Sequence, residues 1–153
     1  MPEFSEISAN RLVSCHQDLQ RVFNEVIKYF DIRILYGHRS ITEQFELYQK
    51  GRTYSRGEWI ITDKGQIVTN CDGTIIKSKH NYIPAHAIDV APFPVDWKDI
   101  DRFILLGGFV LGIAKELKRN SEIENDIVWG GNWQSDFNLK NQTFYDYPHF
   151  QLQ

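Results

Sequence analysis

The sequence predicts an α+β fold, and three observations carry that expectation. Helical periodicity dominates the first third of the chain. Short strand-like runs bounded by turn residues come later. One long helical stretch lies among those strands without a regular strand-helix alternation. With 153 residues, 42% hydrophobic and 14% aromatic, the chain can fill one core, so a single domain over residues 1–153 is expected.

Leu19, Val22, Phe23, Val26, Ile27 and Phe30 recur at helical spacing, which predicts a helix over about Gln17 to Tyr29. Ile32, Ile34 and Tyr36 alternate with Arg33 and Leu35 as in a short strand that ends at Gly37-His38-Arg39. Ser40 and Glu43 have capping-box spacing, so a helix should run to about Lys50, with Gly51 as its stop. Trp59-Ile60-Ile61 and Ile67-Val68 flank Asp63-Lys64-Gly65 and predict a hairpin there. Cys71-Asp72-Gly73-Thr74 marks a further turn. Ala87 to Ala91 reads as a buried strand stopped by Pro92 and Pro94. A long helix should cover about Lys98 to Lys118. Its Gly107, Gly108 and Gly112 each cost about 1 kcal/mol relative to alanine, which suits close packing against another backbone. Ile127-Val128-Trp129 and Phe150-Gln151-Leu152 read as the last two strands.

Composition excludes several functions. A formal net charge of -3 and the lack of a basic stripe argue against nucleic-acid binding. Lys115, Lys118 and Arg119 sit where they complement a helix dipole. No glycine-rich nucleotide loop follows a strand. The longest apolar run, Phe103 to Ala114, is too short to span a bilayer, so no stable membrane insertion is expected. Cys15 and Cys71 form no CxxC motif and are expected to be free thiols. The N-terminal residues carry acids and no apolar stretch, unlike a secretory signal, so cytoplasmic retention is expected.

The chemistry concentrates in two segments, Ser78 to Pro92 and Asp146 to Phe150. They supply His80, Asp89 and His149, and two imidazoles with one carboxylate suit Zn²⁺ with a position left open. An aspartate inside Ala-Ile-Asp-Val-Ala needs a partner or a metal; the structural alternative is an ion pair with Arg39. Asp146, three residues before His149, can act as a proton acceptor for metal-assisted hydrolysis. His86 lies on the opposite strand face from Asp89 and is not expected to share its metal. His16 reads as a surface residue and His38 as an ordinary turn histidine. Arg39 can stabilise an oxyanion or form a salt bridge, and Ser78 can hold substrate or cap a turn.

Gly37-His-Arg39-Ser-x-x-x-Gln44, Ser78-Lys-His80-Asn-Tyr, Ala87-Ile-Asp89-Val-Ala-Pro, Trp129-Gly-Gly-Asn-Trp133 and Asp146-Tyr-Pro-His149-Phe occur in that order. Together they resemble the zinc peptidase family of D-alanyl-D-alanine carboxypeptidases, D-Ala-D-Ala dipeptidases and phage L-alanyl-D-glutamate endopeptidases. The resemblance implies a small α+β domain with a central antiparallel sheet flanked by helices and a zinc site in a cleft. It implies His80, Asp89 and His149 as zinc ligands, Asp146 as general base and Arg39 at the scissile carbonyl. Ser78 and Gln44 fall at substrate-side positions. The H-x₈-D spacing, with Pro84 inside it, resembles phage members, whereas many relatives have H-x₆-D. The segment 56–68 is longer than usual and is expected to border the cleft.

The leading expectation is therefore a monomeric phage endolysin that cuts the L-Ala-D-Glu bond of the peptidoglycan stem peptide. By family analogy it would stay in the host cytoplasm until a holin releases it to the wall. A D-Ala-D-Ala carboxypeptidase or dipeptidase with the same zinc chemistry, and a non-catalytic wall-binding module, remain as alternatives.

Overall fold

A four-stranded antiparallel sheet carries the architecture. A computed structural model describes all 153 residues. In order across the sheet the strands are β1 (Ile32–Tyr36), β4 (Ala87–Pro92), β6 (His149–Leu152) and β5 (Ile127–Trp129). Two further strands, β2 (Arg52–Ser55) and β3 (Glu58–Ile61), form a separate hairpin. The helices are α1 (Glu6–Val13), α2 (Gln17–Val26), α3 (Ile41–Gln49) and α4 (Ile100–Arg119). The α+β class and the antiparallel sheet are as expected.

Alternation divides the main sheet into two faces. Ile32, Ile34, Ile88, Val90, Phe150 and Leu152 belong to the core with Leu19, Val22 and Phe23 of α2 and Leu106 and Val110 of α4. Phe23 meets Phe150 edge to face at 5.4 Å between ring centroids. Burying each such side chain contributes on the order of 1.5–3 kcal/mol. The alternate residues of the two central strands, including Ala87, Asp89, His149 and Gln151, occupy the other face. Helices α2 and α4 thus cover one side of the sheet and leave the other for chemistry.

Helix α1 was not anticipated from the sequence. Only two of its residues are buried, Ser8 and Leu12, so its apolar signal is weak. Polar tertiary bonds hold it instead. Ile34 N donates to Ser8 Oγ at 3.2 Å, and Arg11 Nη1 donates to Ile34 O at 3.0 Å. Both bonds satisfy the outer backbone edge of β1. Helix α2 ends at Val26, three residues before its expected end; turns continue to Tyr29. His16 is not a plain surface residue. It is half-buried, its Nδ1 accepts from Asp18 N at 3.1 Å to cap α2, and its ring meets His86 at 5.8 Å.

The expected hairpin around Asp63-Lys64-Gly65 is corrected. Strand β3 pairs backward with β2, and residues 64–66 form a 3-10 turn. The deciding feature is Arg56-Gly57, where φ is 53° and 87°. Two consecutive positive values are what a two-residue turn between twisted strands requires. Trp59 then packs against Tyr54 and Phe45. The capping box on α3 and the left-handed Gly51 after it are both present.

Cys15 and Cys71 are free, and burial pushes the Cys15 thiol up to about 12. Cys71 is half-buried. Lys115 and Lys118 both reach Asp126, while Arg119 pairs with Glu116. No helix is long and apolar enough to cross a membrane.

Only one of the three α4 glycines is required by packing. A Cβ on Gly107 would overlap the Trp129 indole, a side chain rather than the expected backbone. Gly108 and Gly112 face open space. Gly107→Ala should therefore lower stability by about 1–3 kcal/mol through overpacking. Gly108→Ala should raise it by about 0.5–1 kcal/mol through helix propensity. Thermal unfolding of the two variants beside the parent checks this; equal shifts of the same sign would refute the packing argument.

Candidate metal centre

Antiparallel pairing creates the centre. Asp89 on β4 lies directly opposite His149 on β6, so their side chains emerge on the same face. The third member, His80, comes from a 3-10 turn over Lys79–Asn81. Ser78 and Asn81 form a capping box on that turn. Arg39 N donates to His80 O at 2.9 Å and Asn81 Nδ2 donates to Arg39 O at 3.0 Å. The arginine segment and the histidine turn therefore hold each other in place.

Both imidazoles are anchored through their far nitrogens. His80 Nδ1 lies 2.8 Å from Gly37 O, an obligate acceptor, so Nδ1 carries the proton and Nε2 presents a lone pair. That Nε2 is buried without a hydrogen-bond partner and sits 3.3 Å from Asp89 Oδ1. His149 Nε2 lies 2.9 Å from Gln151 Oε1, while its Nδ1 faces Asp89 Oδ1 at 3.1 Å. One ligand atom from each of His80, Asp89 and His149 falls within 4.8 Å of the others. Electron-rich atoms crowded this closely in a buried site need a cation or a proton among them. Two imidazoles, one carboxylate and carbonyl acceptors behind the imidazoles are a donor set that fits Zn²⁺.

In the metal-free protein a proton serves instead. Burial works against the Asp89 charge, but the bonds to His149 and His80 outweigh it and hold the carboxyl well below its usual range. Burial likewise opposes the His149 charge, and the bond to Asp89 overcomes it, so the imidazole titrates above its usual value.

Asp146 Oδ2 is 4.0 Å from His149 Nδ1, beside the cluster rather than within it. Burial pushes its carboxyl up, opposed by His149 and reinforced by Asp89. Gly130 sets its position: Asp146 N donates to Gly130 O at 3.0 Å, and a Cβ on Gly130 would overlap the Asp146 backbone.

Arg39 lies within reach of Asp89, with Nη2 3.7 Å from Oδ2, so the ion pair weighed as an alternative is present as a long contact. Its guanidinium stacks over Tyr36 at 5.0 Å, and its Nε is buried without a partner. Tyr36 reaches this face through a β-bulge, since β1 advances from Ile34 to Tyr36 while β4 steps only from Val90 to Asp89.

Gln44 requires a correction. It is fully buried, and its Oε1 accepts from Arg39 Nη1 at 3.1 Å while its Nε2 donates to Cys71 O at 3.0 Å. It supports Arg39 and the cleft wall from behind rather than facing substrate. Ser78 lines the cleft, but its Oγ accepts from His80 N at 3.3 Å, so the turn-capping reading is realised. His86 points away and stacks on Tyr82 at 4.6 Å, as strand alternation predicts.

Arg39, Ser78, His80, Asp89, Asp146 and His149 border one cleft of about 640 Å³, whereas Gln44 and His86 do not. Ile67 and Val68 border it, whereas the β2-β3 hairpin tip does not, which narrows the expected role of residues 56–68. Trp133 and Phe144 stack to form an aromatic wall, and Trp133 also lies 5.5 Å from the His149 ring. Tyr36, Phe144 and Gln151 were not singled out from the sequence, and Trp133 entered only through the Trp129-Gly-Gly-Asn-Trp133 motif, without a role. Of the first three, only Gln151 had a usable signal, its place two residues after His149 on a strand.

The family model described as phage L-alanyl-D-glutamate peptidase matches residues 53–153. That stretch contains His80, Asp89, Asp146 and His149 but not Arg39. A solved structure, the Serratia marcescens L-Ala D-Glu endopeptidase ChiX, shares the fold with a TM-score of 0.64 at 24% identity. The match covers 98% of this chain and 89% of that one.

Asp89, depressed below 3.8, contributes stability that is present above that value and lost as pH falls through its lower folded pKa. His149, raised above 6.5, contributes stability that is present below that value and lost as pH rises through its folded pKa. Chelator-treated protein should therefore show a melting temperature that declines as pH rises above about 6.5. Zn²⁺ stabilisation should grow over the same interval because ligation needs a neutral imidazole. His149→Ala should flatten both trends. Parallel melting curves for metal-free and Zn²⁺-treated parent protein would count against the site.

Proposed function

Since the chain belongs to the phage L-alanyl-D-glutamate peptidase family, we propose that it is a zinc-dependent peptidoglycan peptidase that hydrolyses the L-Ala-D-Glu bond of the stem peptide. The observation that carries this reading is the His80–Asp89–His149 cluster with Asp146 beside it in an open cleft. The family description supports the bond and a phage endolysin role; in this reading the protein acts on the wall after release from the host cytoplasm.

In this reading His80 Nε2, His149 Nδ1 and Asp89 hold Zn²⁺. When bound, the ion would supply Lewis acidity to the substrate carbonyl and to water. Asp146 takes the proton from the attacking water and delivers it to the departing D-glutamate amine. Its burial, which raises its affinity for a proton, suits that double duty. The Arg39 guanidinium donates to the carbonyl oxygen as negative charge builds there. Gln44 and Tyr36 restrict the arginine before substrate arrives, so little ordering remains to be done during the reaction. The stacked Trp133 and Phe144 offer an apolar wall to the peptide, and Ser78 keeps the His80 turn in register.

Three variants separate these roles. Asp146→Ala should keep Zn²⁺ and lose turnover by about 10²–10⁴-fold, the range for a general acid-base residue; loss of the metal would make Asp146 a ligand instead. Arg39→Lys should fold normally and lose kcat, because lysine keeps charge without the planar fork. A lowered melting temperature with unchanged kcat would assign Arg39 to the Asp89 pair alone. His80→Ala should lose Zn²⁺ as measured by metal analysis, and full retention would refute the ligand set.

The reaction itself is tested by digesting Gram-negative peptidoglycan and sequencing new amino termini by mass spectrometry. N-terminal D-glutamate should appear, with L-alanine left on the muramic acid. Release of free D-alanine without a new glutamate amine would identify a carboxypeptidase. Binding without any product would identify a wall-binding module.

A further inference from the structure

Gln151 stands on β6 two residues after His149, so the two side chains share the cleft face of the sheet. Its partner across the β4-β6 pair is Ala87, whose methyl leaves room for the longer glutamine chain to lie alongside His149. The amide oxygen lies 2.9 Å from His149 Nε2. The amide borders the cleft but makes no other hydrogen bond within the chain through its Oε1.

The two imidazoles of the cluster are supported differently. His80 is anchored by the main-chain carbonyl of Gly37, which every side-chain substitution leaves in place. His149 depends on a side chain. A neutral imidazole carries one proton, and two arrangements compete for it. With the proton on Nδ1, His149 donates to Asp89 and turns no lone pair towards the cluster. With the proton on Nε2, it donates to Gln151 and offers Nδ1 as a ligand. Asp89 favours the first arrangement and Gln151 Oε1 favours the second.

We propose that Gln151 is a positioning residue that fixes the His149 tautomer presenting Nδ1 to the metal. This inference rests on the metal-site reading and adds a residue to it. Gln151 touches His149 rather than the reacting atoms, so it acts through metal affinity and imidazole orientation. An outer hydrogen-bond partner of this kind typically changes metal affinity by about 10–100-fold.

The test compares parent protein with Gln151→Met, which keeps chain length and removes the acceptor, and with Gln151→Glu, which keeps an acceptor. Zn²⁺ affinity is read by competition with a chromophoric chelator. The His149 Nε2–H proton is read by ¹H–¹⁵N NMR in the Zn²⁺-loaded protein. Gln151→Met should weaken Zn²⁺ about 10–100-fold and let that proton exchange with solvent. Gln151→Glu should retain both the affinity and the protected proton. Gln151→Leu replaces the methionine variant if the latter does not fold. Parent-like affinity and a protected proton in the acceptor-less variant would overturn the proposal. Equal weakening in the glutamate variant would also overturn it, since packing rather than hydrogen bonding would then be responsible. Parent protein that takes up no Zn²⁺ would overturn the metal-site reading along with this inference. Parent protein that binds Zn²⁺ tightly while all variants match it would overturn this inference alone.

Discussion

A carboxylate on a buried central strand is the constraint on which the rest of the structure depends. Asp89 sits on β4, between two other strands, with only 15% of its side chain exposed. Left alone, its charge would be expelled by protonation or by unfolding. The fold answers by bringing His149 across the strand pair, His80 from the preceding turn and Arg39 from the end of β1. The two imidazoles that make the charge tolerable also form, with Asp89 itself, a set of ligand atoms that could hold a cation. Structural necessity and the proposed chemistry therefore have a common origin.

The division of the sheet into two faces keeps that site rigid. Ile88 and Phe150, the neighbours of Asp89 and His149 in sequence, are fully buried on the helix side. A one-residue slip of either strand would exchange a core residue for a site residue and expose apolar surface. Register is thus protected by hydrophobic burial, while the charges benefit from it. The bulge in β1 makes one local exception, and that exception brings Tyr36 and the Arg39 segment to the cleft.

Around this frame, amides and glycines do much of the positioning. Gln44 holds Arg39, Gln151 contacts His149, and Gly130 admits the backbone that carries Asp146. None of these groups needs to touch substrate to matter. Each limits the conformations open to a residue that is proposed to do so, which lowers the ordering cost at the moment of reaction. Such residues are easily assigned to substrate contact from sequence position alone, as Gln44 was.

The sequence by itself determined the fold class, the main strands and the long helix, because alternation and helical periodicity are local patterns set by burial. It also marked His80, Asp89, His149, Asp146 and Arg39, because a charged or metal-binding residue inside an apolar or turn-rich setting stands out from its neighbours. Helix α1 escaped notice because its stability comes from polar bonds to β1, which leave no hydrophobic period. The β2-β3 pairing was missed because Arg56 and Gly57 compete with another plausible turn, and only the backbone conformation decides between them. The tertiary structure alone decided which imidazole nitrogen faces Asp89, that Gln44 lies behind Arg39, and that Gln151 reaches His149. Those facts depend on side-chain direction and on distances of a few ångströms between segments far apart in the chain, and no one-dimensional pattern encodes either.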